Sequence, residues 1–284
     1  MLARYFLHFL LFFSLLSTYK VEAQYNEIGV IFGASNYKGE LSRHMFNSDF
    51  LHPAFGLFYR HNWNRRLSWK IELNYGRISG DDAKAKTPFE IDRNLSFYSD
   101  IIEISPQIEF NFLPFETGRA DYPFSPYLFT GLSVFYFNPK AKLGNDVFDL
   151  QPLGTEGQNI NGNNRYKRVQ IAIPIGGGIK ISVGKIGIGI EVGARRTYSD
   201  YLDDVSTLYP DMAALLAANG SNAVSLSDRS FSRLDTSADV TNAFNKQRGN
   251  STDKDWYLFA GITVFWRLSS TLKEICEPFK RRRY

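Results

Sequence analysis

The sequence predicts an all-β protein: an eight-stranded antiparallel transmembrane β-barrel with long extracellular loops and short periplasmic turns. Three observations carry that expectation. Segments of strand length alternate apolar with small or polar residues along most of the chain, the period-two signature of extended backbone. The connections between these segments are alternately long and short. No internal apolar run reaches the ~18 residues of a membrane helix, so any membrane character must reside on one face of the strands.

The alternation is cleanest from Val169 to Arg196. Ile171, Ile173, Ile175, Gly177, Ile179, Ile181 and Val183 share one face; Gln170, Ala172, Pro174, Gly176, Gly178, Lys180 and Ser182 share the other. After Gly184-Lys185 the apolar face resumes with Ile186, Ile188, Ile190, Val192 and Ala194, against Gly187, Gly189, Glu191, Gly193 and Arg195. Two such strands joined by a two-residue, Gly-containing turn form a β-hairpin. A soluble sandwich would turn the aliphatic face into a core. A transmembrane barrel turns it towards lipid and keeps small and polar residues in a narrow lumen. The other strands decide between them.

Composition fits one large β domain: 284 residues, 44% hydrophobic and 15% aromatic, a length at which barrels run as single domains. A net charge of +4 is small for this size and leaves no nucleic-acid footprint. The single Cys276 excludes an internal disulfide framework and any multi-cysteine metal site. Residues 1–23 read as a signal peptide, with Arg4, an apolar stretch from Phe6 to Leu16, and small Val21 and Ala23 before the cleavage position. The apolar stretch is short of the ~20 residues of an anchor helix. The domain reading is therefore a leader over 1–23, a barrel over 24–268 carrying a loop insert at 198–255, and a basic tail over 269–284.

In chain order, the first strand runs from Tyr25 to Ser35, with Ile28, Val30, Phe32 and Ala34 on the apolar face and Ile31 out of phase. A polar loop leads to the second, Pro53 to His61, and a short turn at Asn62 to Arg66 leads to the third, Leu67 to Gly76. After the loop Gly80 to Asn94 comes the fourth, about Ile101 to Phe112, which Pro114 to Tyr122 connects to the fifth, about Tyr127 to Phe137. A Gly/Asn-rich loop, Asn138 to Lys167, precedes the hairpin that supplies strands six and seven. The longest insert then runs to Asp255, before strand eight at Trp256 to Leu268. Aromatics cluster near strand ends (Tyr59, Trp69, Tyr75, Phe112, Tyr136, Trp256, Trp266) as interfacial girdles do. An even strand number, short turns on one side and long loops on the other fit an outer-membrane barrel, exported after removal of the leader. Ten strands result if Val224 to Leu234 pairs as an extra hairpin.

The inward face carries Glu27, Arg60, Lys70, Glu72, Glu103, Glu109, Lys180, Glu191, Arg195 and Arg267. An eight-stranded barrel holds little more than its own side chains, and buried charges persist only when paired. The lumen therefore reads as a salt-bridged plug with no pore. Pro106 and Pro174 conflict with a closed ladder, which local bulges would accommodate.

No residue set composes a catalytic or cofactor site. His44 with Ser42 lacks a third orienting group, and no histidine pair has metal-ligand spacing. Asp81-Asp82 and Asp203-Asp204 could hold divalent cations near lipopolysaccharide, although acidic loop tips are commonly just solvated. Gly176-Gly177-Gly178 is followed by no helix and suits lumen packing better than a phosphate cradle. Tyr209 to Asn219 reads as a short helix with Pro210 in its first turn and Gly220 as its stop; Met212, Leu215 and Leu216 form its apolar stripe, packing over the barrel mouth or docking a partner. Arg65, Arg66 and Arg119 in the periplasmic turns, with Lys280, Arg281, Arg282 and Arg283 in the tail, are candidate contacts to an acidic periplasmic partner.

The stretches Tyr25-Asn26-Glu27-Ile28-Gly29-Val30, Ser35-Asn36-Tyr37-Lys38-Gly39-Glu40-Leu41, Pro53-Ala54-Phe55-Gly56-Leu57-Phe58-Tyr59-Arg60 and Leu73-Asn74-Tyr75-Gly76-Arg77-Ile78-Ser79-Gly80-Asp81-Asp82 resemble PorG-like proteins of the type IX secretion system. The resemblance is clearest over residues 25–140, and its motifs are structural. It implies a non-enzymatic outer-membrane protein of Bacteroidetes-type bacteria, active in protein secretion and gliding motility, which anchors a periplasmic ring of the PorK/PorN or GldK/GldN type. Its expected surroundings are outer-membrane lipid and lipopolysaccharide, with no cofactor, nucleic acid or small-molecule substrate. A surface barrel of the adhesion or defence type is the competing reading, favoured by the long external loops.

Overall fold

The computed structural model describes residues 24–160, 162–230 and 246–268; the leader and the tail with Lys280, Arg281, Arg282 and Arg283 lie outside the described residues. The alternating segments form β1 (Tyr25–Lys38), β2 (His52–Asn62), β3 (Leu67–Asp81), β4 (Ser96–Asn111), β5 (Phe124–Gly131), β6 (Ser133–Leu143), β7 (Asp146–Asp149), β8 (Val169–Val183), β9 (Ile186–Thr197) and β10 (Trp256–Leu268). All pair antiparallel. β1 pairs with β2 on one side and β10 on the other, so the sheet closes on itself and leaves its ring without edges.

The ring has eight staves, because β5 and β6 are one stave. Gln107 faces Gly131 and Ile104 faces Val134 in a single register with β4. Likewise Thr130 faces Ile175 and Ser133 faces Ala172 in a single register with β8. The interruption falls at Leu132, which that register puts opposite Pro106, while Gly131 stands opposite Pro174. Neither proline has an N–H to give. Leu132 N–H donates to the Pro106 carbonyl at 3.1 Å with no bond returned, and Thr130 Oγ1 donates to the Pro174 carbonyl at 3.0 Å. The bulges expected at the two prolines are therefore absent; the chain keeps register and forgoes ladder bonds instead. β7 adds a short hairpin to β6 at the outer end. The extra pairing considered at 224–234 does not form over its described part, since Ser221–Ser227 is a helix.

Side chains keep the period. Along β9 the residues alternate exposed and buried, with Ile186, Ile188 and Ile190 outside and Gly187, Glu191 and Arg195 inside. Gly184 takes φ +60° at the first position of the β8–β9 turn, as a two-residue hairpin with glycine there requires. On the outer wall Tyr59 packs on Trp69, ring centroids 5.6 Å apart, near the periplasmic end. Tyr75, Ile102 and Tyr136 stand in one cross-strand row near the other. One row above, Arg77 pairs with Asp100 at 2.8 Å, with side chains 44% and 34% exposed; here the apolar belt ends.

β3 and β4 are 15 and 16 residues long, more than the ~9–11 that a tilted strand needs to cross a bilayer. The surplus rises above the belt at the outer end. Ile78, Phe97, Ile101, Phe135, Phe137 and Tyr257 point inward there and pack with Leu41, Leu95, Leu150, Leu202 and Leu226 from the loops. The outer loops thus share a hydrophobic core with the barrel. Burying each large apolar side chain in it contributes roughly 1.5–3 kcal/mol. The helix near 209–219 starts later than expected, at Met212, because Asp211 caps it through Ala213 and Ala214 N–H, leaving Pro210 outside the first turn. Met212 and Leu215 pack inward with Tyr209 and Ala223, whereas Leu216 is exposed.

Candidate functional site

The interior is a chain of ion pairs. Towards the periplasmic end Arg60 lies 2.9 Å from Glu27 and 3.1 Å from Glu109, and Glu109 also takes Lys180. Further out, Lys70 Nζ is 2.7 Å from both Glu72 and Glu191, and Arg195 is 3.4 Å from Glu72 and 3.1 Å from Glu103. Each cation is inward-facing by strand phase, and each finds an acid on another stave. Tyr257 OH donates to Glu103 at 2.6 Å and Tyr127 OH to Glu191 at 2.7 Å. Since β3 stands opposite β9 in the ring, and β4 opposite β10, the Lys70–Glu191 and Tyr257–Glu103 contacts cross the whole lumen. Contacts of that length leave no water between the paired groups.

Reading the sequence for charge alone missed the aromatic half of this filling. Arg60 sits 4.9 Å from the centres of both the Phe58 and Phe265 rings, and Lys70 4.8 Å from Phe129. Lys180 lies 4.9 Å from Phe115 and 4.7 Å from Tyr127, and Arg195 lies 4.8 Å from Phe259. A cation over a desolvated ring gains up to ~2 kcal/mol, so the rings offset part of the cost of burying these charges. The signal was legible: Tyr257, Phe259 and Phe265 share the phase of Arg267, and Tyr127 and Phe129 that of Gly131 and Ser133. The inward glycines make room for them; a β-carbon on Gly187 would come within 2.0 Å of the Phe265 ring.

Arg267 leaves the lumen for the periplasmic mouth. There Glu116, carried on the connection between β4 and β5, receives Arg65 at 3.0 Å, Arg119 at 3.3 Å and Arg267 at 3.1 Å. That connection is folded into the barrel: Phe115 is fully buried, Tyr25 OH donates to its carbonyl at 3.3 Å, and Thr117 bonds Glu27. Arg66 instead donates to the Phe112 carbonyl at 2.6 Å. Two of the candidate partner contacts, Arg65 and Arg119, thus already share one carboxylate.

The outer mouth is capped by packed loops. Arg93 forks onto Asp82 with two bonds of 2.8 Å and also donates to the carbonyls of Arg248 and Glu40. Asp82 is thereby committed to a guanidinium, and Asp81 caps the turn at Ala83 N–H, so this pair is no cation site. Arg248 pairs with Glu156 at 2.8 Å and stands 3.9 Å from Asp204. Burial lifts the Asp204 carboxyl to about 6 against that pairing. Asp203 differs. It meets Glu40 and Asp255, one carboxylate oxygen from each lying within 4.8 Å of the others. Burial pushes Asp203 up to about 7 and Glu40 to about 9, the latter also by the charges of Asp203 and Asp200. Ser42 and His44 do not assemble: His44 is exposed and the buried Ser42 Oγ has no partner.

A closed ring of eight antiparallel staves, apolar outside and filled with paired charge and aromatic rings inside, defines a small outer-membrane β-barrel protein. The chain belongs to the family described as Domain of unknown function (DUF6089), whose model matches residues 6–225. No curated relative matches the sequence. Among solved structures it is similar to Ail, the attachment invasion locus protein of Yersinia pestis (10% identity, TM-score 0.40, covering 87% of this chain and 100% of Ail). It is also similar to Neisserial surface protein A (9%, TM-score 0.41, 87% and 100%). A third is the N-terminal β-barrel domain of Pseudomonas aeruginosa OprF (9%, TM-score 0.36, 87% and 100%).

Proposed function

We propose that this chain is a non-enzymatic outer-membrane component of the type IX protein secretion system, anchoring the periplasmic ring of PorK/PorN or GldK/GldN type to the outer membrane. The observation that carries the reading is the filled lumen. With opposite staves bonded through the centre, nothing of useful size passes, and function falls to the ends of the barrel. The stretches over residues 25–140 that resemble PorG-like proteins support the secretion reading. The periplasmic mouth supplies the chemistry: the guanidiniums of Arg65, Arg119 and Arg267 gather there around Glu116, and a guanidinium-rich face suits an acidic protein surface. The test is affinity purification of the tagged, detergent-solubilised chain, with deletion of its gene in parallel. Ring proteins should co-purify, and the deletion should abolish cargo secretion.

The packed outer cap favours a second reading, a surface barrel of the adhesion or defence type, because loops sharing a core with the barrel present a fixed external surface. Intact secretion in the deletion strain, with loss of ligand binding at the cell surface, would select it.

A further inference from the structure

Among the described residues, the chain gives nearly every carboxylate it buries a cation. Glu27, Glu72, Glu103, Glu109 and Glu191 have theirs in the lumen, Glu116 at the periplasmic mouth, and Asp82, Glu90, Glu156 and Asp204 in the cap. The exceptions are Asp200, Asp203 and Asp255, and they lie together. Asp203 and Asp255 are joined by the half-buried Glu40 in the cluster at the outer mouth. The Tyr37 hydroxyl lies 2.6 Å from Asp203 and 3.0 Å from Asp255, yet it has one proton for two acids. Asp200 supplies an observation outside this triad. It is 3% exposed, its Oδ1 has no hydrogen-bond partner, and its charge acts on all three acids. Arg93 and Lys254 act on Asp203 and Asp200 only from a distance, without an ion pair to either, so a buried, half-satisfied oxygen and carboxylates without a paired cation leave a place for positive charge.

We propose that Glu40, Asp203 and Asp255 bind a hard divalent cation, Ca²⁺, which pins the outer cap to the barrel. The dimensions fit. Ca²⁺–oxygen bonds of about 2.3–2.6 Å put ligand oxygens up to roughly 5 Å apart, and the three oxygens here lie within 4.8 Å of one another. An all-oxygen, all-carboxylate set selects Ca²⁺ or Mg²⁺ over softer metals. The three acids come from separate segments: the loop after β1, the long insert, and the residue before β10. Lys38 faces Trp256 in the β1–β10 ladder, so the sheet already sets the segments of Glu40 and Asp255 side by side, and one ion would tie Asp203 of the insert to both. Asp200 supports the site electrostatically from the next turn of the insert.

The test uses the full mature chain folded in detergent, titrated with Ca²⁺ alone by calorimetry and with Tb³⁺ by luminescence, for which Tyr37 is the adjacent sensitiser. Saturable binding is expected with a dissociation constant of roughly 10⁻⁴–10⁻³ M, the range of extracellular Ca²⁺ modules. Tb³⁺ emission should be displaced by Ca²⁺. Asp203→Asn and Asp255→Asn should each weaken binding by about tenfold or more, with the folded-barrel gel mobility retained; Asp253→Asn, an exposed acid nearby, should bind as the parent does. If either aspartate variant fails to fold, Glu40→Gln at the cluster's more exposed side serves. No Ca²⁺ binding by the folded parent, or unchanged affinity in the asparagine variants, would overturn the proposal and leave shared protons as the cluster's glue.

Discussion

Lys70 on β3 and Glu191 on β9, 121 residues apart, meet in the middle of the barrel with Nζ 2.7 Å from Oε2. Because these staves are opposite, the contact measures the interior: two side chains, one reaching from each wall, span it. The pair lies in the interior with Glu72 and Tyr127 as its other partners.

Lys70→Ala leaves Glu72 and Glu191 buried with one counter-charge fewer. The expected cost is about 3–5 kcal/mol, read as a lower urea midpoint for the barrel folded in detergent or vesicles. The double replacement Lys70→Met with Glu191→Leu removes both charges and should recover much of that loss. Equal damage from the single and double variants would mean that packing, rather than charge pairing, dominates here.

Gly187→Val should fail for a different reason. Its side chain would occupy the place of the Phe265 ring, which is fully buried against Phe58 and Phe115. Overpacking of this kind costs typically about 1–3 kcal/mol, seen as reduced folding yield and a lower unfolding midpoint. Adding Phe265→Leu should restore part of the loss by freeing volume.

Arg93→Ala should loosen the cap and spare the barrel. Its guanidinium joins Asp82, the Arg248 carbonyl and the Glu40 carbonyl, so three loops lose a common tie and Asp82 is left buried and unpaired. Faster proteolysis within the outer loops is expected, with unchanged heat-modifiable mobility of the barrel core. Cleavage at the parent rate would show that the shared hydrophobic core alone holds the cap.

Arg119→Glu at the periplasmic mouth should reduce recovery of ring proteins with the tagged chain, because a carboxylate then faces Glu116. Removing Lys280 to Tyr284 tests the tail separately. Unchanged recovery in both variants would exclude electrostatic docking at this face.

Much of the wall was legible because lipid imposes a strict period. Ile186, Ile188 and Ile190 can face only one way once Gly187 and Glu191 are committed inward, and the short turns fix which strands are neighbours. The rings of Phe129, Phe259 and Phe265 are harder to read, since they are apolar by type and only their position along the strand puts them inward. Pro106 and Pro174 suggested bulges because a single chain does not reveal that both flank the same point of one stave. The cap was least legible. Glu40 and Asp255 are neighbours through the β1–β10 ladder, in which Lys38 faces Trp256, but Asp203 reaches them by loop packing, which leaves no spacing in the sequence to read.

The most direct measurement is the solvent that meets the outward face. A spin label at position 190, in an Ile190→Cys, Cys276→Ser chain reconstituted in vesicles, should collide freely with oxygen dissolved in the acyl chains and hardly at all with a water-soluble nickel chelate. High accessibility to the chelate, or an immobilised label shielded from both, would contradict a wall of isoleucines turned towards lipid.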